Sequence, residues 1–95
     1  MECCNHKVTI RDEEEKKNLL NRISRINGQI NGIKNMIEEN RYCEDVLIQL
    51  SAIEKAIKSL ESVILERHLK TCVVKTIEDG NTDIINEVID LFKRL

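Results

Sequence analysis

The sequence predicts an all-α protein. Its 95 residues include no proline, one Phe, one Tyr and no Trp, while 34% are charged, and this composition favours helices. Apolar residues recur in steps of three and four along two long stretches, which is the spacing of one helix face, whereas strand alternation needs steps of two. These observations predict two long helices, and a shorter amphipathic stretch near the C-terminus predicts a third.

The first helix is expected from about Glu13 to Glu39. Two Asn-Gly pairs fall inside this stretch, and such pairs elsewhere mark tight turns, but the apolar steps of 4, 3, 4, 3 and 4 continue through them. Gly28 and Gly32 then share one helix face and each cost roughly 1 kcal/mol relative to Ala. Either plain helix packing or the close approach of another backbone or a phosphate explains them. The apolar seam comprises Leu19, Ile23, Ile26, Ile30, Ile33 and Ile37.

The second helix is expected from about Cys43 to Lys75, after the pattern breaks at Asn40-Arg41. Its seam has similar steps and comprises Val46, Leu50, Ile53, Ile57, Leu60 and Ile64. In the loop that follows, Gly80 suits a helix C-cap, and Asn81 or Thr82 suits an N-cap. The third helix carries one apolar face, made of Ile84, Ile85, Val88, Ile89 and Phe92.

Three narrow seams in a chain so poor in aromatic residues do not close a good core within one molecule. We therefore expect antiparallel helices of two or more copies to pack together. Residues 1–11 are expected to form a mobile N-terminal tail and residues 12–95 a single domain. No stretch resembles a signal peptide or a membrane span, so a cytoplasmic protein without membrane contact is expected.

Cys43, His68 and Cys72 are the candidate metal ligands. His68 and Cys72 are four residues apart, so one helix face presents both. Cys43 precedes His68 by 25 residues, which is about 37 Å along a continuous helix, so it cannot join them within one chain. It can meet them across an antiparallel pair of second helices, which predicts two identical sites that each bridge two subunits.

Two thiolates and one imidazole favour Cu(I) or Zn(II), and three ligands without a fourth suit trigonal Cu(I). Zn(II) would need a fourth ligand, from water or the N-terminal tail. Taken singly, each cysteine is better explained as a small buried apolar residue and the histidine as a surface or cap residue, but the three together favour a metal site. A second cluster in the tail could supply a ligand, bind metal adventitiously or be inert; it comprises Cys3, Cys4 and His6.

The first helix also carries a basic stretch without any acidic residue. Arg22 and Arg25 are three apart and share a face, with Lys34 about two turns later. Such residues suit DNA phosphates, although the net charge of −2 gives no overall attraction to nucleic acid. The alternative is a solvated basic face that binds nothing, and no helix-turn-helix is recognisable. The five basic residues are Lys16, Lys17, Arg22, Arg25 and Lys34.

Three motifs resemble the CsoR/RcnR family of small bacterial repressors, which sense copper, nickel or cobalt, formaldehyde or persulfide. The motifs are RISRINGQINGI at residues 22–33, Tyr42-Cys43, and HLKTCV at residues 68–73, and the resemblance covers about residues 12–95. It implies a three-helix protomer without a helix-turn-helix. It also implies an antiparallel four-helix-bundle dimer that assembles into a tetramer, a dimer of dimers, whose basic side chains bind operator DNA until an inducer weakens the complex.

Within that family, Cys43, His68 and Cys72 resemble the ligands of the copper-sensing branch, which implies trigonal Cu(I) shared between two subunits. Nickel and cobalt sensors place His where Cys72 stands, formaldehyde sensors lack this cysteine, and persulfide sensors usually lack the histidine. The resemblance also implies that Tyr42 lies beside the first ligand. An acidic residue of the last helix, Asp83 or Glu87, is implied to accept a hydrogen bond from His68.

The sequence therefore predicts a Cu(I)-responsive repressor whose partners are operator DNA and further copies of itself, as a homodimer or homotetramer. The alternatives are a persulfide or thiol-oxidation sensor of the same fold that uses Cys43 and Cys72, a sensor of another metal, and a metal carrier that never touches DNA. An enzyme with a small-molecule substrate is not expected, because the chain has no glycine-rich phosphate loop and no nucleophile, base and acid in a plausible pocket.

Overall fold

The computed structural model describes residues 8–95, and every regular element in this range is helical. Helix α1 spans Glu13–Glu38, α2 spans Cys43–His68, α3 spans Val74–Glu78 and α4 spans Ile84–Arg94. A π-helical segment, Leu69–Val73, joins α2 to α3 without a break. The expected all-α class is confirmed. The expected second helix continues to Glu78, and the π-helical turn within it was not predicted.

Side-chain and backbone caps define the two ends of α1. Asp12 accepts a hydrogen bond from the Glu15 backbone N–H at 2.7 Å, which satisfies one of the free donors of the first turn. At the other end Asn40 has a φ of 57°, and the N–H groups of Asn40 and Arg41 donate to Ile37 and Met36. This pair of bonds is a Schellman motif, so Asn40 ends the helix as its sequence position predicted.

The described residues form two compact units. The hairpin unit spans Arg11–Val63, and the C-terminal unit contains Ile64–Leu95. In the hairpin unit, Arg22 lies 16 residues before the end of α1 and Ser59 lies 16 residues after the start of α2. Their side chains are hydrogen-bonded, which is the pairing that an antiparallel hairpin produces. The single-domain expectation for residues 12–95 stays a prediction.

The core of the hairpin unit uses alternate members of the two apolar seams. Leu19 and Ile26 of α1 and Val46 and Ile53 of α2 are buried. The intervening seam residues are exposed by 40 to 49% and comprise Ile23, Ile30, Leu50 and Ile57. Each seam thus has one row that packs within the chain and one row that the chain itself leaves exposed.

The C-terminal unit buries Cys72, Val73 and Ile84. The loop before α4 begins at Gly80, whose φ is 91°, and Asn81 accepts a hydrogen bond from the Asp83 N–H at 3.1 Å. Gly80 therefore follows the end of α3, as the sequence predicted. The N-cap prediction was wrong, because Asp83 and not Asn81 or Thr82 is the N-cap of α4, and the Asn81 side chain instead closes a turn just before the helix. Three other apolar residues of α4 are exposed, namely Ile85, Ile89 and Phe92.

Residues 1–7 of the expected mobile tail lie outside the described residues, and residues 8–11 precede α1 without regular structure. None of the helices formed by residues 8–95 combines the length and apolarity that crossing a membrane requires.

Candidate functional site

Cys43 and His68 are the first and last residues of α2. The Cys43 thiol is free and exposed. Tyr42 stands directly before it with its residue 69% exposed, and the Tyr42 carbonyl accepts the Val46 N–H at 3.2 Å in the first turn of the helix. One helix therefore separates the two candidate ligands, as the argument for a site between subunits requires.

Cys72 lies within the π-helical segment and is the most deeply buried cysteine described, with 2% of the residue exposed. It is disulfide-bonded, whereas Cys43 is a free thiol, so the two are not bonded to each other. The Thr71 hydroxyl donates to the Arg67 carbonyl at 2.7 Å, and the Thr76 hydroxyl donates to the Cys72 carbonyl at 2.7 Å. Such threonine bonds to the preceding turn bend helices, and π-helical turns occur frequently at functional sites.

His68 is half-buried and lines a cavity of about 330 Å³. Glu87 lines the same cavity, whereas Asp83 does not, among the residues that the structure describes. Of the two acidic residues that the resemblance suggested, Glu87 is thus the one that shares a cavity with His68. The described residues that line this cavity are His68, Glu87, Val88, Asp90, Leu91 and Arg94.

Within residues 8–95 no three His, Cys, Asp or Glu side chains are grouped so that they could hold a metal ion. Cys43, His68 and Cys72 are therefore not assembled in one chain, and the site shared between subunits stays a prediction. The candidate accessory ligands Cys3, Cys4 and His6 lie outside the described residues. Between His68 and Cys72, Lys70 donates to Glu66 at 2.8 Å, and this hydrogen bond and positive charge lower the pKa of the Glu66 carboxyl below its ordinary value.

None of the five basic residues predicted to contact DNA forms an ion pair with another described residue. Several other cations do: for example Arg11 lies 3.2 Å from Glu15, and Lys75 lies 3.6 Å from Asp79. The absence of acidic residues from the middle of α1 therefore leaves its positive charges uncompensated, and uncompensated charges attract phosphates.

The five basic residues do not share one face of α1. At about 100° per residue, Arg22 and Arg25 lie about 60° apart around the helix, whereas Lys34 lies about 180° from Arg25. Lys16 and Lys34 are separated by five whole turns and so occupy the same side. The five basic residues therefore form no single basic face. The two arginines lie on one side of α1, and the lysines lie elsewhere around it.

Arg22 is held in place by two neutral side chains. Its Nε donates to Asn18 Oδ1 at 3.1 Å, and its Nη1 donates to Ser59 Oγ at 3.2 Å. Asn18 lies one turn before Arg22, so helical spacing alone brings these two residues together. Ser59 gives no such signal in the sequence, because the two chain segments meet only when the hairpin folds. The adjacent cavity has about 260 Å³ and is lined by Arg22, Arg25, Ile26, Gln29, Ala56 and Ser59.

Gly28 and Gly32 face open space in the chain. A Cβ placed on either residue would meet nothing within 4 Å among the described residues. Packing inside this chain therefore does not explain why the helix carries two glycines, and the approach of another molecule stays a prediction.

The chain is similar in sequence to known transcriptional repressors. A family model of metal-sensitive transcriptional repressors matches residues 15–94. The copper-sensing transcriptional repressor CsoR of Bacillus subtilis (strain 168) is 42% identical over 91 residues, which cover 95% of this chain and 86% of that protein.

Solved structures extend these similarities to the backbone. The copper-sensing repressor CsoR with Cu(I) from Geobacillus thermodenitrificans NG80-2 has a TM-score of 0.87 and 40% identity, with 92% of each chain covered. The nickel-responsive transcriptional regulator InrS has a TM-score of 0.76 and 35% identity, with 90% of this chain and 97% of that chain covered.

Proposed function

Because this chain belongs to the family of metal-sensitive transcriptional repressors, we propose that it is a copper(I)-responsive repressor that releases operator DNA when Cu(I) binds. The family consists of transcriptional repressors, and the expectation that the protein is not an enzyme is thereby confirmed. The observation that carries the copper assignment is the pairing of two cysteines with one histidine in a chain similar to copper-sensing repressors. Two soft thiolates and an imidazole suit Cu(I).

In this proposal Cys43 of one subunit and His68 and Cys72 of another hold the ion. The proposal concerns the reduced form of Cys72, because a thiolate and not a disulfide sulfur is the ligand. These residues would donate thiolate sulfur and imidazole nitrogen to Cu(I), the ligand types that this soft ion prefers. The exposed Cys43 thiol is accessible to a neighbouring subunit, and the buried position of Cys72 keeps its sulfur from water.

Self-association is proposed to complete the core. The exposed row of the two seams in the hairpin unit lies beside the buried row, and a second copy in antiparallel orientation would cover it. A two-fold axis presents the same surface on both subunits, so one such row serves both. We propose an antiparallel four-helix-bundle dimer that assembles further into a tetramer. The exposed row comprises Ile23, Ile30, Leu50 and Ile57.

We propose that DNA binds to the uncompensated positive charges of α1. We also propose that the protein is cytoplasmic. The five residues are Lys16, Lys17, Arg22, Arg25 and Lys34. Each cation that meets a phosphate releases condensed counterions, so binding weakens steeply with salt. The side chains supply positioning on the duplex rather than base readout.

We propose that His68 couples metal binding to the release of DNA. His68 would hold the ion through one ring nitrogen and would donate from the other to Glu87, which lines the same cavity. Inducer binding can shift the protein away from its DNA-binding state only if the inducer binds the other state more tightly. A hydrogen bond between His68 and α4 that forms in only one state provides such a difference in inducer affinity.

An anaerobic Cu(I) titration of the reduced protein on fluorescent DNA from upstream of its gene tests the proposal by anisotropy. We expect release at about one Cu(I) per chain, since a two-fold dimer has two shared sites. Cys43→Ala should stay on DNA at the same Cu(I) concentration. Ser51→Ala, an exposed change in the same helix, is the control and should release as the wild type does. DNA that remains bound to the wild type with Cu(I) refutes copper sensing.

A thiol-oxidation sensor is the second candidate, because Cys72 is disulfide-bonded while Cys43 stays a free, exposed thiol. In that case a persulfide donor, rather than Cu(I), releases the DNA and produces intersubunit crosslinks on a non-reducing gel. The same anisotropy titration is also carried out with Ni(II), since the similar InrS is nickel-responsive. Release by Ni(II) but not by Cu(I) would assign the chain to another metal.

A further inference from the structure

We infer that Asn18 and Ser59 are positioning residues that hold the Arg22 guanidinium at a phosphate-binding site formed with Arg25 and Gln29. This inference rests on the proposed DNA binding and deepens it, because it names the atoms that prepare one contact. The site lies entirely within the hairpin unit, on the side of α1 that meets α2.

The two hydrogen bonds fix the orientation of a planar group. Asn18 Oδ1 accepts from Nε at 3.1 Å, and Ser59 Oγ accepts from Nη1 at 3.2 Å. A guanidinium held at two of its nitrogens rotates less about its last bond and stays nearer the α1–α2 groove than a free one. Less side-chain freedom is then lost when an anion binds, and such preorganisation raises affinity.

The anchors leave the charge and most of the donors available. A guanidinium has five N–H groups, and these two bonds use two of them, so three remain. Asn18 and Ser59 are neutral, and Arg22 forms no ion pair with any residue in the described range. The three remaining N–H groups and the full positive charge suit a phosphate, whose oxygens accept charge-assisted hydrogen bonds from a guanidinium.

The surroundings favour an anion of small size. The cavity beside Arg22 has about 260 Å³, below the roughly 300–1,000 Å³ of sites for drug-sized ligands. Among residues 8–95, the lining contains a second arginine, Arg25, and a neutral amide, Gln29, but no acidic residue. Ile26 and Ala56 complete the wall with apolar atoms, and apolar walls strengthen charge interactions by lowering the local dielectric.

The ligand chemistry is a phosphate oxyanion, and two sources can supply it: a DNA phosphodiester or a free phosphate. The DNA source is tested by anisotropy over a series of salt concentrations with wild type, Asn18→Ala and Ser59→Ala. We expect each variant to raise the dissociation constant about three- to tenfold, the effect of one lost hydrogen bond. The slope against log salt should not change, because no charge is removed. Arg22→Gln should reduce that slope by about 0.9.

Matched controls separate positioning from general effects on the helices. Asn21→Ala and Ser51→Ala are the same substitutions at exposed positions of α1 and α2, and both should bind DNA as the wild type does. Ser59→Thr keeps the hydroxyl and should restore most of the affinity. In the Arg22→Gln background Ser59→Ala should cause no further loss. A Ser59→Ala variant with wild-type affinity, or with a loss that adds to that of Arg22→Gln, overturns the inference.

The free-phosphate source is tested by the NMR signal of the Arg22 Nε–H group during titration with inorganic phosphate. A shift that saturates in the wild type and weakens in Ser59→Ala supports the site even if the wild type fails to bind DNA, in which case only the proposed function falls. No shift in a protein that also fails to bind DNA overturns both.

Discussion

Ile57→Ala tests whether a second copy covers the exposed seam row. Ile57 is 40% exposed in the chain, whereas Ile53, one turn earlier in α2, is 6% exposed. Burying a whole isoleucine side chain contributes about 1.5–3 kcal/mol, so covering the remaining 40% contributes about 1 kcal/mol per copy. A two-fold interface uses the residue twice, giving about 2 kcal/mol and a roughly thirtyfold weaker dimer.

Sedimentation equilibrium at several protein concentrations measures the change. Alanine is the better helix former, so Ile57→Ala should not weaken the isolated helix. Ile53→Ala is the matched control and should instead lower the free energy of unfolding by about 2–5 kcal/mol, because it empties space in the core of the hairpin. The reasoning fails if Ile57→Ala leaves the association constant unchanged in a protein that does associate.

Four further predictions address single residues. Gly28→Ala should raise the free energy of unfolding by about 1 kcal/mol in chemical denaturation, because its Cβ meets open space; weaker DNA binding or association by the same variant would show that another molecule approaches there. Gly80→Ala should lower stability by about 1 kcal/mol, since an L-residue is strained at a φ of 91°, and an unchanged melting curve would contradict this. His68→Ala should bind Cu(I) through its remaining thiolates yet release DNA poorly, and full release would count against coupling through His68. Lys70→Met should raise the pKa of Glu66 in a carboxyl NMR titration, because the hydrogen bond that lowers it is lost; the small stabilisation from this pair is present above the unfolded pKa and disappears as pH falls through the folded pKa, and an unmoved pKa would rule out Lys70 as its cause.

The π-helical segment places an irregular turn inside the HLKTCV motif. Its hydrogen bonds reach one residue further than those of an α-helix, since the Val74 N–H donates to the Leu69 carbonyl. Sequence spacing alone treats His68 and Cys72 as neighbours on a regular helix. The structure instead sets the direction of Cys72 through a wider turn flanked by two threonine bonds.

Periodicity by itself determined the helices of this protein. The seams of α1 and α2, the cap at Asn40 and the turn at Gly80 depend on residues close in the chain, so local physics specifies them. The residue types of the HLKTCV motif, together with Cys43 at the start of α2, likewise indicated metal chemistry from the sequence alone.

Only the tertiary structure decided which seam residues are buried. A seam shows that Ile53 and Ile57 face the same side of α2, but the position of α1 determines that the first is covered and the second is not. The same holds for Ser59, which lies 37 residues from Arg22 and contacts it across the hairpin. The spacing of residues along a chain describes faces of single helices, whereas burial and contacts between distant residues depend on how those helices pack.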